Sequence, residues 1–454
     1  MQTQAATVDD RKPSSRLAPG PKGNLVTGVL SQLRSAKLKT LVDLVQTYGD
    51  VVRMPVVIDI YIVTHPDLVK YVMQDNHVNY TKGFNYRRME PFLGRGLLTS
   101  EGEEHLRNRR LAQPAFHKQR IAGFAELMAR HTERMLSGWA PGAKLDVHAE
   151  MMKLTLSVVG EALFSTDITQ SADDVGRALS DVLTITNDRF ESIFVPPKFF
   201  PTPQNLRFNR SMEVLDTLVN GLISARRNGS EQKHDLLAML MEARTEDGKE
   251  GMSDRQLRDE VMTMVLAGHE TTANALSWAF YLLSTHPEVE RRLAAEVAQL
   301  EGRAPTLADL PKLSYTKQVM EETMRLYPPA WAVGRRTIED DEIGGFHIPK
   351  KTDVMLMPFA THRDPRFWEN PEGFDPDRFL PENVAKRHKF AFFPFAAGPR
   401  MCIGSAFAMM EMQLVLAMVM QKFRVDLVPG QVVIPEPRVT LRPKDGLRVT
   451  LKNR

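Results

Sequence analysis

The chain has 454 residues, 43% of them apolar and 25% charged, which is ordinary globular usage and excludes a disordered, collagen-like or coiled-coil protein. With 59 Lys and Arg against 56 Asp and Glu the net charge is +3, too even a balance to argue for nucleic acid. The single cysteine, Cys402, excludes an internal disulfide framework and cysteine-rich zinc or iron–sulfur sites, and fits a reducing compartment.

Residues 1–18 are polar, lack a signal-peptide core, and are expected to be a flexible N-terminus. No later run reaches the ~18 apolar residues of a membrane span, so the expectation is a cytoplasmic protein without a transmembrane anchor. No repeat, low-complexity block or long linker divides residues 19–454, which read as one domain although length alone suggests roughly three. Residues 51–64 are β-branched and predict a hairpin despite Pro55. From about 104 to 300 the pattern is helical, broken at 193–204 (IFVPPKFFPTPQ) by a loop.

Residues 253–285 predict the clearest helix, opened by a capping box of Ser253 and Gln256. So long and apolar an element should cross the core. Thr285 with Glu288 reads as a second box starting a helix to about 300, and a further helix covers 314–327 before Pro328-Pro329. Short strands are expected over 333–357. Residues 362–400 are Pro-rich, aromatic and aperiodic, a length of irregular chain that is often functional. Helix returns over 405–423.

Cys402 falls in FAAGPRMCIG (395–404), between that irregular stretch and a helix N-terminus. Unpaired backbone N–H groups, the helix dipole and nearby Arg400 favour a thiolate there, and Gly398 and Gly404 allow a flat ligand to approach the backbone. A lone thiolate on iron points to haem. Phe395, Gly398, Arg400, Cys402 and Gly404 together resemble the haem-binding signature of the cytochrome P-450 family.

Three further segments extend the resemblance. AGHETT (267–272) is similar to the family's oxygen-activation motif: Ala267 and Gly268 let the helix lie close over the haem, while Glu270 and Thr271 carry protons to oxygen. By its chemistry alone, the Thr271 hydroxyl can either bond back to its own helix or hold a water. His269-Glu270 also begins a zinc-protease motif, but Ala273 stands where its second histidine belongs. In ETMR, Glu322 and Arg325 share a helix face. The resemblance implies that they lock onto Arg378 of DPDRF as a structural triad. His105 and Arg109 stand in the family's Trp-x-x-x-Arg segment, with histidine as a departure from it. With Arg335 and Arg400 they are the expected propionate ligands, and Arg336 is the alternative to Arg335.

The resemblance implies a mainly α, single triangular domain with small β-sheets at one edge. It further implies haem b with Cys402 as the only protein ligand to iron, O2 as co-substrate, and a monomeric monooxygenase acting on a hydrophobic small molecule such as a fatty acid or terpenoid. With no flavin or ferredoxin module after residue 454, electrons are expected from a separate ferredoxin or flavodoxin and its reductase. The docking surface is expected at Lys386-Arg387-His388-Lys389 and at 117–120 (His-Lys-Gln-Arg). Competing readings are an oxygen-independent isomerase or dehydratase, a peroxide-driven hydroxylase and a haem sensor; the intact Gly268-x-Glu270-Thr271 sequence argues against all three. The pocket wall is expected from loop 76–98 (Tyr80, Phe84, Tyr86, Phe92, Leu93), from 190–208 (Phe190, Phe194, Phe199, Phe200), and from 330–333.

Overall fold

Ser253 starts the longest element. Its hydroxyl accepts from the Gln256 N–H while the Gln256 side chain accepts from the Ser253 N–H, so both ends of the expected capping box are made. The helix Asp254–Thr285 then runs for 32 residues, about 48 Å at 1.5 Å per residue. It is buried on nearly every side from Leu257 to Leu283, as its apolar composition requires. The computed structural model describes residues 16–22, 30–55, 59–165, 172–192, 195–197, 199–228, 235–244, 248 and 251–454. Most of the expected N-terminal segment 1–18, and Phe194, lie outside the described residues.

Helices supply most of the fold. Val147–Phe164, capped by the Asp146 carboxylate on the His148 and Ala149 N–H groups, packs along the central helix. Gly268 marks the closest approach, since a Cβ there would meet Cγ2 of Val159 at 3.0 Å. Ser314–Leu326 and Ser405–Lys422 pack on each other and on the central helix, all within one continuous apolar core.

The strands form small, separate sheets. The largest has five strands in the order Val51–Met54, Ile60–Val63, Asp353–Leu356, Val333–Thr337, Tyr80–Lys82. Its first two strands are the expected hairpin, paired antiparallel from Val51 with Val63 to Met54 with Ile60. A two-stranded hairpin, Pro435–Pro437 with Leu441–Pro443, lies against the central helix.

The central helix is also tied to its surroundings by polar contacts along its length. Asp259 accepts from the Arg95 N–H at 2.8 Å and Glu260 from the Leu97 N–H at 2.9 Å. Near the other end the Trp278 indole donates to the Leu441 carbonyl at 3.0 Å and stacks on Tyr327 at 4.1 Å.

One capping expectation fails. The helix after the central one spans Pro287–Ala298, with His286 rather than Thr285 at its N-cap. Thr285 is still the last residue of the preceding helix, and its hydroxyl donates backwards to the Leu282 carbonyl at 3.0 Å. The aperiodic stretch 362–400 contains brief helical turns, among them Pro376–Phe379 and Pro381–Lys386.

Candidate active site

A single cavity of about 1540 Å³ receives the chemistry-bearing residues from elements far apart in sequence. Cys402, Phe395 and Gly404 reach it from the cysteine loop, Ala267, Gly268, Glu270 and Thr271 from the middle of the central helix. His105 and Arg109 enter from the helix Gly102–Ala112, and Arg335 from the strand Val333–Thr337.

The cysteine loop is closed by the Cys402 N–H, which donates to the Phe395 carbonyl at 2.9 Å. Arg109 clasps it from the side, donating to the Met401 carbonyl at 2.7 Å. Cys402 presents its accessible surface to the cavity. It still lies deep in the protein, so burial is the largest influence and pushes the thiol up. The Gly404 N–H, Arg109 and Lys82 act the other way and favour thiolate. Arg400 has protein partners of its own beside the cavity. It pairs with Glu101 and donates to the Ser100 carbonyl at 2.8 Å, while still lining the cavity.

Gly398 is needed for a reason other than ligand approach. It sits at φ +66° and a Cβ there would lie 2.0 Å from the Met73 carbonyl oxygen, so the constraint is contact with the turn Tyr71–Asp75. It is not among the cavity-lining residues.

On the central helix the Thr271 hydroxyl donates back to the Ala267 carbonyl at 2.6 Å, the local bonding the sequence left open. Glu270 is buried, and Oε1 accepts from the Thr440 hydroxyl at 2.7 Å while Oε2 has no partner among the described residues. Burial pushes its carboxyl up; the Thr440 bond, Arg442 and Arg438 oppose this.

At the opposite wall positive charge accumulates. Strand alternation turns Arg335 inward, 4% exposed, whereas Arg336 faces the other side and meets Asp353 at 3.6 Å. The only hydrogen bond of the Arg335 guanidinium among the described residues is to the Gly334 carbonyl beside it, at 3.0 Å. His105 is buried, its ring nitrogens have no geometric hydrogen bond among the described residues, and burial followed by Arg400, Lys82 and Arg109 holds its pKa down to about 3 against an opposing pull from the Leu97 backbone. Lys82, missed by the sequence reading, joins them. Its ammonium lies 4.5 Å from the centre of the Tyr86 ring, and burial together with Arg335 and Arg400 drives its pKa well below the usual lysine value.

This donor set fits haem. The N–H donors of buried His105 and Arg335 and of half-buried Lys82 line the cavity and suit anionic acceptors, as two propionates supply, and a single thiol shares the same cavity. Among the described residues no group of three or more His, Cys, Asp and Glu could hold a metal ion, and Cys402 is the thiol that lines the cavity.

Glu322 and Arg325 form a fully buried bidentate pair at 2.6 and 2.7 Å. Arg325 also donates to the carbonyls of His362, Pro371 and Gly373, gathering the aperiodic stretch onto the helix. Arg378 approaches Glu322 at 3.4 Å without hydrogen-bond geometry; the Asp375 N–H fills that place at 2.9 Å.

Other expectations need correction. Phe92 and Leu93 are fully buried in the core, Tyr80 bonds Asp341, and Phe199 and Phe200 face outward, so none of them lines the cavity; Phe84, Tyr86, Phe190 and 330–333 do. Within the expected docking segment Lys386 and Lys389 are exposed, but Arg387 stacks over Trp368 and Phe379 at 4.3 and 4.7 Å. Burial lowers its pKa to about 10, and it serves packing rather than the surface. The side chain of Lys118, in the second segment, lies outside the described residues.

The model of the cytochrome P450 family matches residues 18–451. Cyclooctatin synthase of Streptomyces melanosporofaciens is 38% identical over 387 residues, covering 84% of this chain and 84% of its own. Cyclooctat-9-en-7-ol 5-monooxygenase of the same organism is 37% identical over 375 residues, 82% of this chain and 81% of its own. Pentalenene oxygenase of Streptomyces avermitilis is 34% identical over 412 residues, 90% and 91% respectively. The crystal structure of cytochrome P450DA heme domain superposes with a TM-score of 0.89 at 25% identity, covering 98% of this chain and 99% of that one. Among the described residues no helix is long and apolar enough to cross a membrane.

Proposed function

The chain belongs to the cytochrome P450 family and is a monooxygenase, and from that premise we propose that it hydroxylates a terpenoid, using haem b and electrons from a separate ferredoxin or flavodoxin. The observation that carries the reading is one cavity into which Cys402, the Glu270–Thr271 pair and the cationic wall all open. Cys402 would hold the iron as thiolate, and His105, Lys82, Arg109 and Arg335 would bind the propionates. When bound, the haem supplies the activation of O2 that puts one oxygen atom into a C–H bond and the other into water. Glu270, buried and inclined to keep its proton, carries protons to the cavity. Thr271 would pass them on by turning its hydroxyl from the Ala267 carbonyl towards the cavity. Phe84, Tyr86, Phe190 and Trp331 supply an apolar wall for a hydrocarbon skeleton. Terpenoids are favoured over fatty acids by the names of the relatives. The protein works as a monomer, and exposed Lys386, Lys389 and Arg120 favour an acidic electron donor.

The test is a reduced carbon monoxide spectrum, a terpene screen for substrate-induced spectral change, and NADH-coupled turnover with a surrogate ferredoxin and its reductase. The red-shifted band should be present and lost in Cys402→Ala. Thr271→Ala should keep the band and NADH use while peroxide replaces product. A band that survives Cys402→Ala overturns the ligand assignment, and binding of fatty acids but no terpene overturns the substrate class.

A further inference from the structure

Two side chains hold Glu270 from behind. Thr440 lies between the strands Pro435–Pro437 and Leu441–Pro443. Its Oγ1 donates to Oε1 of Glu270 at 2.7 Å. Asn274, one turn beyond Glu270 on the same helix, donates from Nδ2 to that Thr440 oxygen at 2.9 Å. All three are buried, Asn274 completely.

A hydroxyl carries one proton and can both donate and accept. With an amide hydrogen arriving from Asn274, the Thr440 proton points to Glu270, and the direction of the chain is set. Oε1 of Glu270 is then an acceptor in both protonation states. Any proton on the carboxyl sits on Oε2, the oxygen without a partner among the described residues. Glu270 and Thr440 are both among the residues that line the cavity, with Oε2 itself buried behind its surface.

We propose that Thr440, set by Asn274, is a positioning residue that fixes Glu270 with Oε2 as its proton-carrying oxygen, an inference that rests on the reading of Glu270 as a proton carrier. The charged groups facing Glu270 are Arg438 and Arg442 of the hairpin, both paired with Glu436 at 2.8 and 2.9 Å. His269 beside it and His148 on the neighbouring helix are held neutral by burial, each down to about 4. Near neutral pH these partners keep their charge states, so a titration seen at Glu270 belongs to Glu270.

The test uses the full-length, haem-loaded protein. The infrared carbonyl band of protonated Glu270, identified by its loss in Glu270→Gln, is followed through pH in wild type, Thr440→Val and Thr440→Ser. Thr440→Val should move the band to higher frequency and weaken proton dissociation about tenfold, the effect of losing one hydrogen bond to a carboxylate. Thr440→Ser should restore both, and peroxide released per NADH should rise only in the valine variant. An unchanged band and midpoint in Thr440→Val overturns the proposal. Should that variant not fold, Asn274→Leu frees the direction of the Thr440 hydroxyl and is judged by the same band. If Glu270→Gln itself leaves coupling intact, the proton-carrier reading fails and takes this proposal with it. If Glu270→Gln uncouples and Thr440→Val does not, only the positioning role is wrong.

Discussion

Replacing Glu322 by alanine removes the carboxylate that neutralises a guanidinium sealed from water on all sides. Arg325 would keep its three carbonyl acceptors but lose both charge-assisted bonds. Truncating one partner of such a buried pair costs about 3–5 kcal/mol. The Asp375 N–H, now without its acceptor, adds about 1 kcal/mol or more. Against a total of about 5–15 kcal/mol for a folded domain, that is about a quarter of the stability or more. Arg378→Ala should be far milder, about 1 kcal/mol, because its contact with Glu322 is 3.4 Å long and its remaining bond is to the Asn370 carbonyl. Urea unfolding followed by circular dichroism, with haem content measured in parallel, reads both. Glu322→Ala should unfold at much lower urea and carry little haem. The double variant with Arg325→Met should recover part of the loss, since no buried charge is stranded. Equal midpoints for Glu322→Ala and wild type, or equal losses for Glu322→Ala and Arg378→Ala, would refute the account.

Glu260 is buried, and desolvation pushes its pKa up to about 7 from an ordinary value of 4.5. A raised carboxyl pKa means that the folded state binds the proton more tightly, so stability is lost as pH rises from about 4.5 to about 7. Glu260→Gln should therefore be more stable than wild type at pH ~8 by about 1–3 kcal/mol and lose that advantage near pH ~5; parallel pH–stability curves would count against it. Lys82→Met should stabilise the haem-free chain by relieving repulsion from Arg335 and Arg400. The same variant should release haem to an acceptor globin about tenfold faster, the worth of one charge-assisted bond. Unchanged release would remove Lys82 from the propionate site.

The mainly helical fold and the family were legible because their signals are local. The cysteine loop, the central helix and its capping box each sit within a few dozen residues. Strand alternation, a local rule too, selects Arg335 over Arg336 once the strand is drawn. Lys82 was illegible for the opposite reason. In VNYTKGF it looks like any surface lysine, and it is enclosed only when Val333–Thr337 pairs with Tyr80–Lys82. Arg387 looked like one of a run of solvated cations, yet aromatic side chains from 368 to 392 gather under its guanidinium. Gly398 carried the right residue for a different reason, since its tight neighbour is the Met73 carbonyl. Thr285 showed a capping-box sequence but was still inside a helix when Glu288 came into reach.

The central helix has a consequence for how such a protein can diverge. Asp259 and Glu260 fasten the loop 95–97 to it, Trp278 fastens the C-terminal hairpin, and Glu270 and Thr271 lie between. A helix is stiff along its axis, so a loop reshaped around a new ligand, or a hairpin shifted to make room, bears on the same rod that carries Glu270 and Thr271. Lineages that change one fastening inherit a strain at the other. Variation at 95–97 and at 440–441 should therefore accumulate together, in paired steps, while the five residues from Ala267 to Thr271 stay still.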